Sequence, residues 1–319
     1  MMTKNGEEYF RTLLNAQRRG LQKLTKQQQI KIEKIYEQVF QDAYRDFING
    51  KKNLTNKKYQ NQMKAAYIQQ LYKELKSLSN DYNIKISKLT EDFHDDFLSY
   101  VIPNTEKTAV YTAYMEIVKK ATKSSVSMML KGNIYKDNLG LDDRLWKTAN
   151  AAGIKLNDAV MSSVAMGLSS IEMSQVVVEF AKEGHKTWDR KKIREKLGPG
   201  YTRYGSLDYE SLRLARTTNN HLNHLNTVNA AKANPYMNTV IYKTGHTVAG
   251  RTCEICKSRD GKIYKLDEAP FDHPNGFCFL EPCLSINGKE ATLEDVGRDI
   301  GKWIRGEPNS GLMDTKYNS

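Results

Sequence analysis

Apolar residues recur every three or four positions through most of the first hundred residues. One stripe occupies residues 32–47 and stops before Asn49-Gly50, the next occupies residues 59–78 after Thr55, and a third occupies residues 86–97. This spacing places the apolar side chains on one face of a helix, and Thr55 has the side chain of an N-cap. The pattern predicts an N-terminal bundle of amphipathic helices.

Helical spacing continues beyond this bundle but is interrupted by glycines. Between residues 107 and 197 we expect several short helices, separated near Gly132, Gly140 and Gly153. Residues 206–234 predict one longer helix that ends at a proline, because proline disfavours the helical conformation in the residue before it. The chain is therefore predicted to be mainly α.

The residue types change after this long helix. Residues 239–248 and 261–266 are rich in β-branched and aromatic residues, which are typical of strands. Together they predict a small β-hairpin. Residues 292–304 predict a short amphipathic helix, and residues 306–319 are expected to form a loose tail.

The clearest break in the chain is Leu197-Gly198-Pro199-Gly200. A domain boundary at this point gives a basic helical region at 1–198, a second domain at 199–288, and a short helix with a flexible tail at 289–319. The predicted fold is mainly α within the α+β class. It consists of an N-terminal helical bundle followed by a long helix and a small β-hairpin domain.

The chain is basic, with 49 Lys and Arg against 37 Asp and Glu and a net charge of +12. Residues 1–90 carry most of this excess, with 18 basic residues against 8 acidic ones. Such an excess attracts phosphate or an acidic protein surface over long range, and salt weakens the attraction. A solvated helix face is the alternative interpretation.

Targeting signals and nucleotide-binding motifs are not evident. The chain has no run of about 18 apolar residues and no apolar segment near its N-terminus, so neither membrane insertion nor secretion is expected. It also lacks a phosphate-binding loop ending in Lys and Ser or Thr, a Gly-x-Ser-x-Gly elbow and a dinucleotide fingerprint. Nucleotide-driven chemistry is therefore not expected.

All four cysteines lie between residues 253 and 283, which favours metal ligands over disulfides. Cys253 and Cys256 have the two-residue spacing that lets both thiolates of one turn bind a single ion. After sixteen intervening residues comes a second pair, His273 and Cys278, which are separated by four residues. Two such pairs are typical of a structural zinc site with all four positions filled by protein. In so small a hairpin, zinc would supply folding free energy.

Several alternatives to this ligand set remain open. The thiols could be small buried apolar groups, with His273 a hydrogen-bonded loop residue. Cys283, His246 or His221 could provide the fourth ligand instead of Cys278. A catalytic zinc would need an open coordination position and a nearby general base. For that role the acidic residues nearby are only generic candidates: Glu254, Asp260, Asp267, Glu268 and Asp272.

A polar stripe lies on the otherwise apolar helix that precedes the hairpin. Arg213 and Arg216 are one turn apart, and the stripe continues on neighbouring positions with Thr217, Asn220, His221 and His224. One interpretation is a hydrogen-bonded seam that docks the hairpin onto the helix. The other is a contact with phosphate.

These segments occur in a specific order: Arg213-Leu-Ala-Arg216-Thr-Thr-x-x-His221, then Cys253-x-x-Cys256, then Asp260-Gly261-Lys262, then Asp272-His273-Pro274-Asn275-Gly276-x-Cys278. In that order and spacing the chain resembles the phage minor head proteins. These form the head-morphogenesis group of tailed phages and are related to the F-like head protein of phage Mu. The resemblance covers roughly residues 205–285.

The resemblance implies a non-catalytic minor capsid protein that lies inside the virion near the portal and is found in the host cytoplasm during assembly. It would help procapsid assembly and genome packaging or delivery, with the portal, the scaffold or major capsid protein, and double-stranded DNA as partners. By position, the metal-knuckle residues would be Cys253, Cys256, His273 and Cys278. Arg213, Arg216, Thr217 and His221 would belong to the supporting helix, with Asp260 and Gly261 in the motif between. Many relatives read His-Pro-x-Cys-x-Cys, whereas this chain has Gly276 at the first Cys.

Two other function classes remain as alternatives. Asp272-His273 beside a two-Cys knuckle is a feature of small zinc-supported nucleases, but no second catalytic His or Asn occurs in residues 291–304. The lysine-rich N-terminal region would also suit a plain DNA-binding module with salt-sensitive, sequence-independent affinity.

Overall fold

The computed structural model describes residues 6–49, 56–102, 109–165, 209–245, 253–274 and 276–314. The helices in these ranges are α1 (Gly6–Asn49), α2 (Lys57–Val101), α3 (Ala109–Lys131), α4 (Leu141–Ala165), α5 (Tyr209–Ala231), α6 (Glu254–Arg259) and α7 (Leu293–Ile304). The strands are β1 (Thr239–Lys243), β2 (Ile263–Lys265), β3 (Phe279–Cys283), β4 (Ser285–Ile286) and β5 (Lys289–Glu290). A 3₁₀ turn spans Leu266–Glu268. The predicted mainly α fold with a small β domain is confirmed.

The chain forms two compact units. The first comprises Met1–Thr25, Tyr82–Ile134 and Arg216–Ser319, and the second comprises Lys26–Asp81 and Tyr135–Ala215. The boundary predicted at residues 197–200 lies outside the described residues and stays a prediction. Within the described ranges, no helix combines the length and the apolar character that a membrane span requires.

Helix α2 is continuous through two of the predicted apolar stripes. Its N-terminus is capped by Asn56, whose side-chain oxygen accepts hydrogen bonds from the backbone N–H groups of Lys58 (2.9 Å) and Tyr59 (3.4 Å). The predicted cap, Thr55, lies outside the described residues. A side-chain oxygen at this position satisfies N–H groups that have no partner within the helix, which explains why α2 begins here.

Gly153 does not interrupt the helix, contrary to our prediction, because it lies inside α4. The other two expected breaks, near Gly132 and Gly140, match the end of α3 and the start of α4. A Cβ atom built on Gly153 would lie 2.3 Å from Cγ1 of Ile68. The glycine therefore serves close packing between α4 and α2 within the second unit.

We expect Gly153→Ala to destabilise the protein by about 1–3 kcal/mol, because the added methyl group forces Ile68 or a helix backbone to shift. Urea denaturation monitored by circular dichroism measures this change. Ala151→Ser, at an exposed position of the same helix, is the matched control and should change the free energy of unfolding by less than about 0.5 kcal/mol. Equal stability of the two variants would contradict the packing role of Gly153.

The apolar core of the first unit is built from helices that are distant in sequence. Its buried members come from α1, α2, α3, the C-terminal end of α5 and α7, and they include Leu13, Phe97, Val118, Ala230 and Val296. Methionine 313, which follows α7, is also buried in this cluster. This core holds the segment around Met313 against the helices of the first unit.

Residues 306–314 therefore differ from the loose tail that we predicted. Asp299 of α7 accepts hydrogen bonds from the Ser310 backbone N–H (2.8 Å) and from the Tyr236 hydroxyl (2.9 Å). Trp303 donates through its indole N–H to Asp314 at 2.7 Å. The docking of residues 306–314 has no signal in the sequence, because the segment is short and has no periodic apolar pattern.

Helix α5 is unusual in burying polar side chains on most of its faces from Thr218 to Thr227. Asn219 donates to Thr25 of α1 at 3.2 Å, and Asn229 donates to Ser125 of α3 at 2.9 Å. These bonds join α1 and α3 to the central helix α5. Because buried amides and hydroxyls must find partners, they also fix the register of that helix against its neighbours.

The small β domain is a three-stranded antiparallel sheet in the order β2-β1-β3. The pairing of β1 with β2 is the predicted hairpin, in which Ile241 faces Ile263. Strand β3 was not predicted, and it pairs along the full length of β1, placing Pro282 opposite Val240. A proline is tolerated there because β3 is an edge strand.

Candidate metal centre

The two-cysteine knuckle forms the start of α6. Cys253 is the N-cap of this helix, and its Sγ accepts a hydrogen bond from the Cys256 backbone N–H at 3.4 Å. The two-residue spacing thus places both sulfur atoms on one tight turn. Cys253 is exposed, whereas Cys256 is buried.

The loop before β3 brings the remaining predicted ligands to this turn. Ligand atoms of Cys253, Cys256 and His273 all lie within 4.8 Å of one another, and so do those of Cys256, Asp272 and Cys278. Cys256 belongs to both groups, which we call the two metal triads. The four residues predicted from the sequence lie close enough together to hold a metal ion, and the structure adds Asp272 to the cluster.

The protonation of the triads follows from their surroundings. The hydrogen bond from the Cys256 backbone lowers the pKa of the Cys253 thiol, whereas burial raises the pKa of the Cys256 thiol. The His273 Nδ1 lies 3.0 Å from the Pro274 carbonyl oxygen, which raises the pKa of His273. When Nδ1–H donates to that carbonyl, Nε2 carries the lone pair that a metal ion needs. A metal would displace the thiol protons, since thiolates are the ligands.

Asp272 is the most strongly hydrogen-bonded side chain of the cluster, and its side chain has no exposed surface. Three donors lie 2.8 Å from its oxygens: the Asn220 amide, the His273 backbone N–H and the Cys278 backbone N–H. The Tyr242 hydroxyl donates at 3.3 Å. The carboxylate therefore fixes the backbone of the loop that carries both His273 and Cys278.

Gly276 lies in the loop between His273 and Cys278, next to the carboxylate of Asp272. A Cβ atom at this position would lie 2.0 Å from Oδ2 of Asp272. A cysteine here would thus displace the carboxylate or the loop. The absence of a side chain at Gly276 therefore leaves room for the buried carboxylate of Asp272.

Helix α5 holds the same loop from the other side. The His221 Nε2 lies 2.9 Å from the Asp272 carbonyl oxygen, and the His224 Nε2 lies 2.9 Å from the Cys278 carbonyl oxygen. Together with Asn220, these histidines dock the loop onto the helix, as one interpretation of the polar stripe predicted. Asn220, His221 and His224 all belong to the polar stripe that was identified in the sequence.

The other stripe residues have different positions. Arg213 is exposed and lies 3.9 Å from Glu210 on the same helix. Arg216 and Thr217 are partly buried on α5. A contact between this stripe and phosphate stays a prediction.

Asp260 and Gly261 form the turn that connects α6 to β2. Asp260 ends α6 through a backbone bond to the Cys256 carbonyl (3.0 Å), and its side chain accepts from the Thr244 backbone N–H at 2.8 Å. Gly261 has a φ of +75°, which favours glycine, and its N–H donates to the Tyr242 carbonyl at 2.9 Å. This turn joins the knuckle to the central strand.

The alternative fourth ligands are less well placed or not described. Cys283 belongs to neither metal triad; it lies on β3 opposite Thr239, and burial raises the pKa of its thiol. His221 uses Nε2 in its contact with the Asp272 carbonyl. His246 lies outside the described residues.

Tyr242 is a further member of the cluster that the sequence did not reveal. It is fully buried on β1, and its hydroxyl lies 3.6 Å from the Cys256 sulfur. Burial raises the pKa of this hydroxyl, so it stays protonated and serves as a hydrogen-bond donor. The site therefore offers soft thiolate ligands, one imidazole and a buried carboxylate on a hydrogen-bonded frame.

No known protein family, curated protein or solved structure matches this chain.

Proposed function

We propose that Cys253, Cys256, His273 and Cys278 bind a structural zinc ion. Thiolate and imidazole ligands suit zinc, and a set of three cysteines and one histidine is a common closed structural site. When bound, zinc cross-links its ligands and neutralises thiolate charge. The protein's own residues position those ligands: the start of α6 presents one pair, and Asp272 fixes the loop that presents the other.

The small apolar core of the β domain supports a stabilising role for the metal. Its cluster of buried residues consists of Val240, Tyr242, Cys256, Cys278 and Leu280. Two of these five are themselves proposed ligands, so few apolar side chains remain to hold α6 and its hairpin. Domains with so little buried apolar surface depend on metals or disulfides for stability.

From the resemblance of its ordered motifs to the phage minor head proteins, we propose that the chain is a non-enzymatic minor head protein of a tailed phage. It acts in procapsid assembly near the portal and in genome packaging or delivery, and it makes sequence-independent contact with DNA. The observation that carries this proposal is the bond between His221 of the helix motif and Asp272 of the loop motif. Motifs that were linked only by their order in the resembled family thus meet in one site.

Binding to the portal protein encoded by the same phage tests this function. We expect purified full-length protein to be retained by immobilised portal at low salt and to be present in purified virions, because the proposal places it beside the portal. Pull-down and mass spectrometry of virions measure the two results. An unrelated basic protein of similar net charge is the control for non-specific retention. Absence from virions together with no specific retention would rule out the proposal.

A further inference from the structure

Helix α3 has a strongly basic exposed face. Its buried side consists of Tyr114, Val118, Thr122, Ser125 and Met129, which pack into the first unit. On the opposite side four lysines are exposed, and we call them the α3 lysine face: Lys119, Lys120, Lys123 and Lys131. Glu116 is the only acidic residue of this helix.

The lysines of the α3 lysine face outnumber the acidic residues on it by four to one, since Glu116 is one turn from Lys119 and Lys120. None of the four lysines forms an ion pair with any residue that the structure describes. Other lysines of the same unit do, such as Lys88 with Asp92 (2.8 Å) and Lys257 with Glu254 (2.8 Å). The α3 lysine face therefore projects net positive charge into solvent.

The spacing of these lysines suits a nucleic-acid backbone. Along a helix, residues 119 and 131 are separated by about 18 Å, at a rise of about 1.5 Å per residue. Duplex DNA carries about one negative charge per 1.7 Å of its axis, so several phosphates fall within that length. Ser124, also exposed on this face, adds a hydroxyl of the kind that donates to phosphate oxygens.

We propose that the α3 lysine face binds the phosphate backbone of double-stranded DNA without base preference. The proposal deepens the DNA contact of the proposed head function and rests on it for its biological setting. DNA is favoured over a protein partner because the face offers no aromatic anchor and only one large exposed apolar side chain, Leu130. Protein interfaces are centred on buried aromatic and apolar residues and are depleted in lysine.

The test is the salt dependence of DNA binding by full-length protein. Fluorescence anisotropy with a labelled random-sequence duplex of about 30 base pairs gives the slope of log affinity against log salt concentration. In a variant with all four α3 lysines changed to glutamine, we expect this slope to fall by about 3 to 4, since each lost phosphate contact removes about 0.9. Glutamine retains helix propensity, and circular dichroism checks folding.

The matched control removes the same charge from lysines that already have acidic partners. It changes four ion-paired lysines to glutamine: Lys88, Lys232, Lys257 and Lys265. We expect this control to keep a slope close to that of the wild-type protein. Equal slope changes in the two variants would overturn the proposal, because net charge alone would then explain binding. Failure of the wild-type protein to bind at about 50 mM salt would also overturn it.

Portal retention separates this proposal from the head function. If the α3 variant loses DNA affinity but keeps portal binding, both proposals are supported. If it loses portal binding while its DNA affinity is unchanged, the face contacts protein and the inference is wrong. A wild-type protein that binds DNA through this face but is absent from virions and not retained by the portal would refute only the head function.

Discussion

Replacing Cys256 with serine is expected to abolish metal binding and unfold the small β domain, residues 239–283. Cys256 is the one residue shared by both metal triads, and it is buried. Without Cys256, the pair Cys253 and His273 no longer shares a ligand with the pair Asp272 and Cys278. Serine is a poor zinc ligand and retains the size of the side chain, so the change tests ligation and not packing.

The size of this effect follows from the coupling of metal binding to folding. Structural zinc sites contribute an apparent binding free energy of about 10–16 kcal/mol, and without it small metal-bound domains are unfolded. We expect the zinc content to fall from about one ion per chain to near zero. Elemental analysis measures the metal, and amide hydrogen exchange measures protection of β1, β2 and β3.

Cys283→Ser is the matched control, because this cysteine lies in the same sheet but in neither metal triad. The control should retain the metal and the protection of all three strands. Chelation of the wild-type metal should reproduce the Cys256→Ser result. A Cys256→Ser protein with unchanged zinc and unchanged exchange would show that the cluster is not a metal site.

The parts of this structure that the sequence predicted are those governed by local rules. The stripes of α1 and α2 follow from helical periodicity, and the knuckle at Cys253 and Cys256 follows from the reach of two side chains on one turn. Thr292 and Asp295 bond reciprocally and form the capping box of α7. The helix therefore begins at Leu293, one residue after the start that was predicted at Thr292.

The features that were not predicted from the sequence depend on contacts between residues that are far apart in the chain. Strand β3 is short and contains Pro282, so only its pairing with β1 defines it. Gly153 has the composition of a helix break, yet the neighbouring Ile68 requires its small size. Asp272 lies in a loop with other acidic residues nearby in sequence. It differs from them in accepting a hydrogen bond from Asn220, which is 52 positions away. No periodicity or spacing within one segment contains that information.

Replacing Asp272 with alanine is expected to destabilise the first unit by about 3–5 kcal/mol, because two buried donors and one partly buried donor lose their acceptor, and each unsatisfied buried group costs about 1–3 kcal/mol. The donors are the Asn220 amide and the backbone N–H groups of His273 and Cys278. Asp272→Asn should cost less, since the amide keeps one acceptor oxygen. Urea denaturation of the metal-loaded proteins measures both differences.

Asp267→Ala provides the control for Asp272→Ala, since Asp267 is an aspartate five positions earlier whose side chain is 82% exposed in an ion pair with Lys232. It should change stability by less than about 1 kcal/mol. Metal affinity then distinguishes how Asp272 acts. A residue that only positions the ligands should weaken zinc binding by about 10–100-fold while one ion per chain still binds at saturation. Complete loss of stoichiometric zinc binding would make Asp272 a ligand in place of Cys278 or His273. Unchanged zinc affinity and unchanged stability would contradict the role of Asp272 in fixing the loop that carries the ligands.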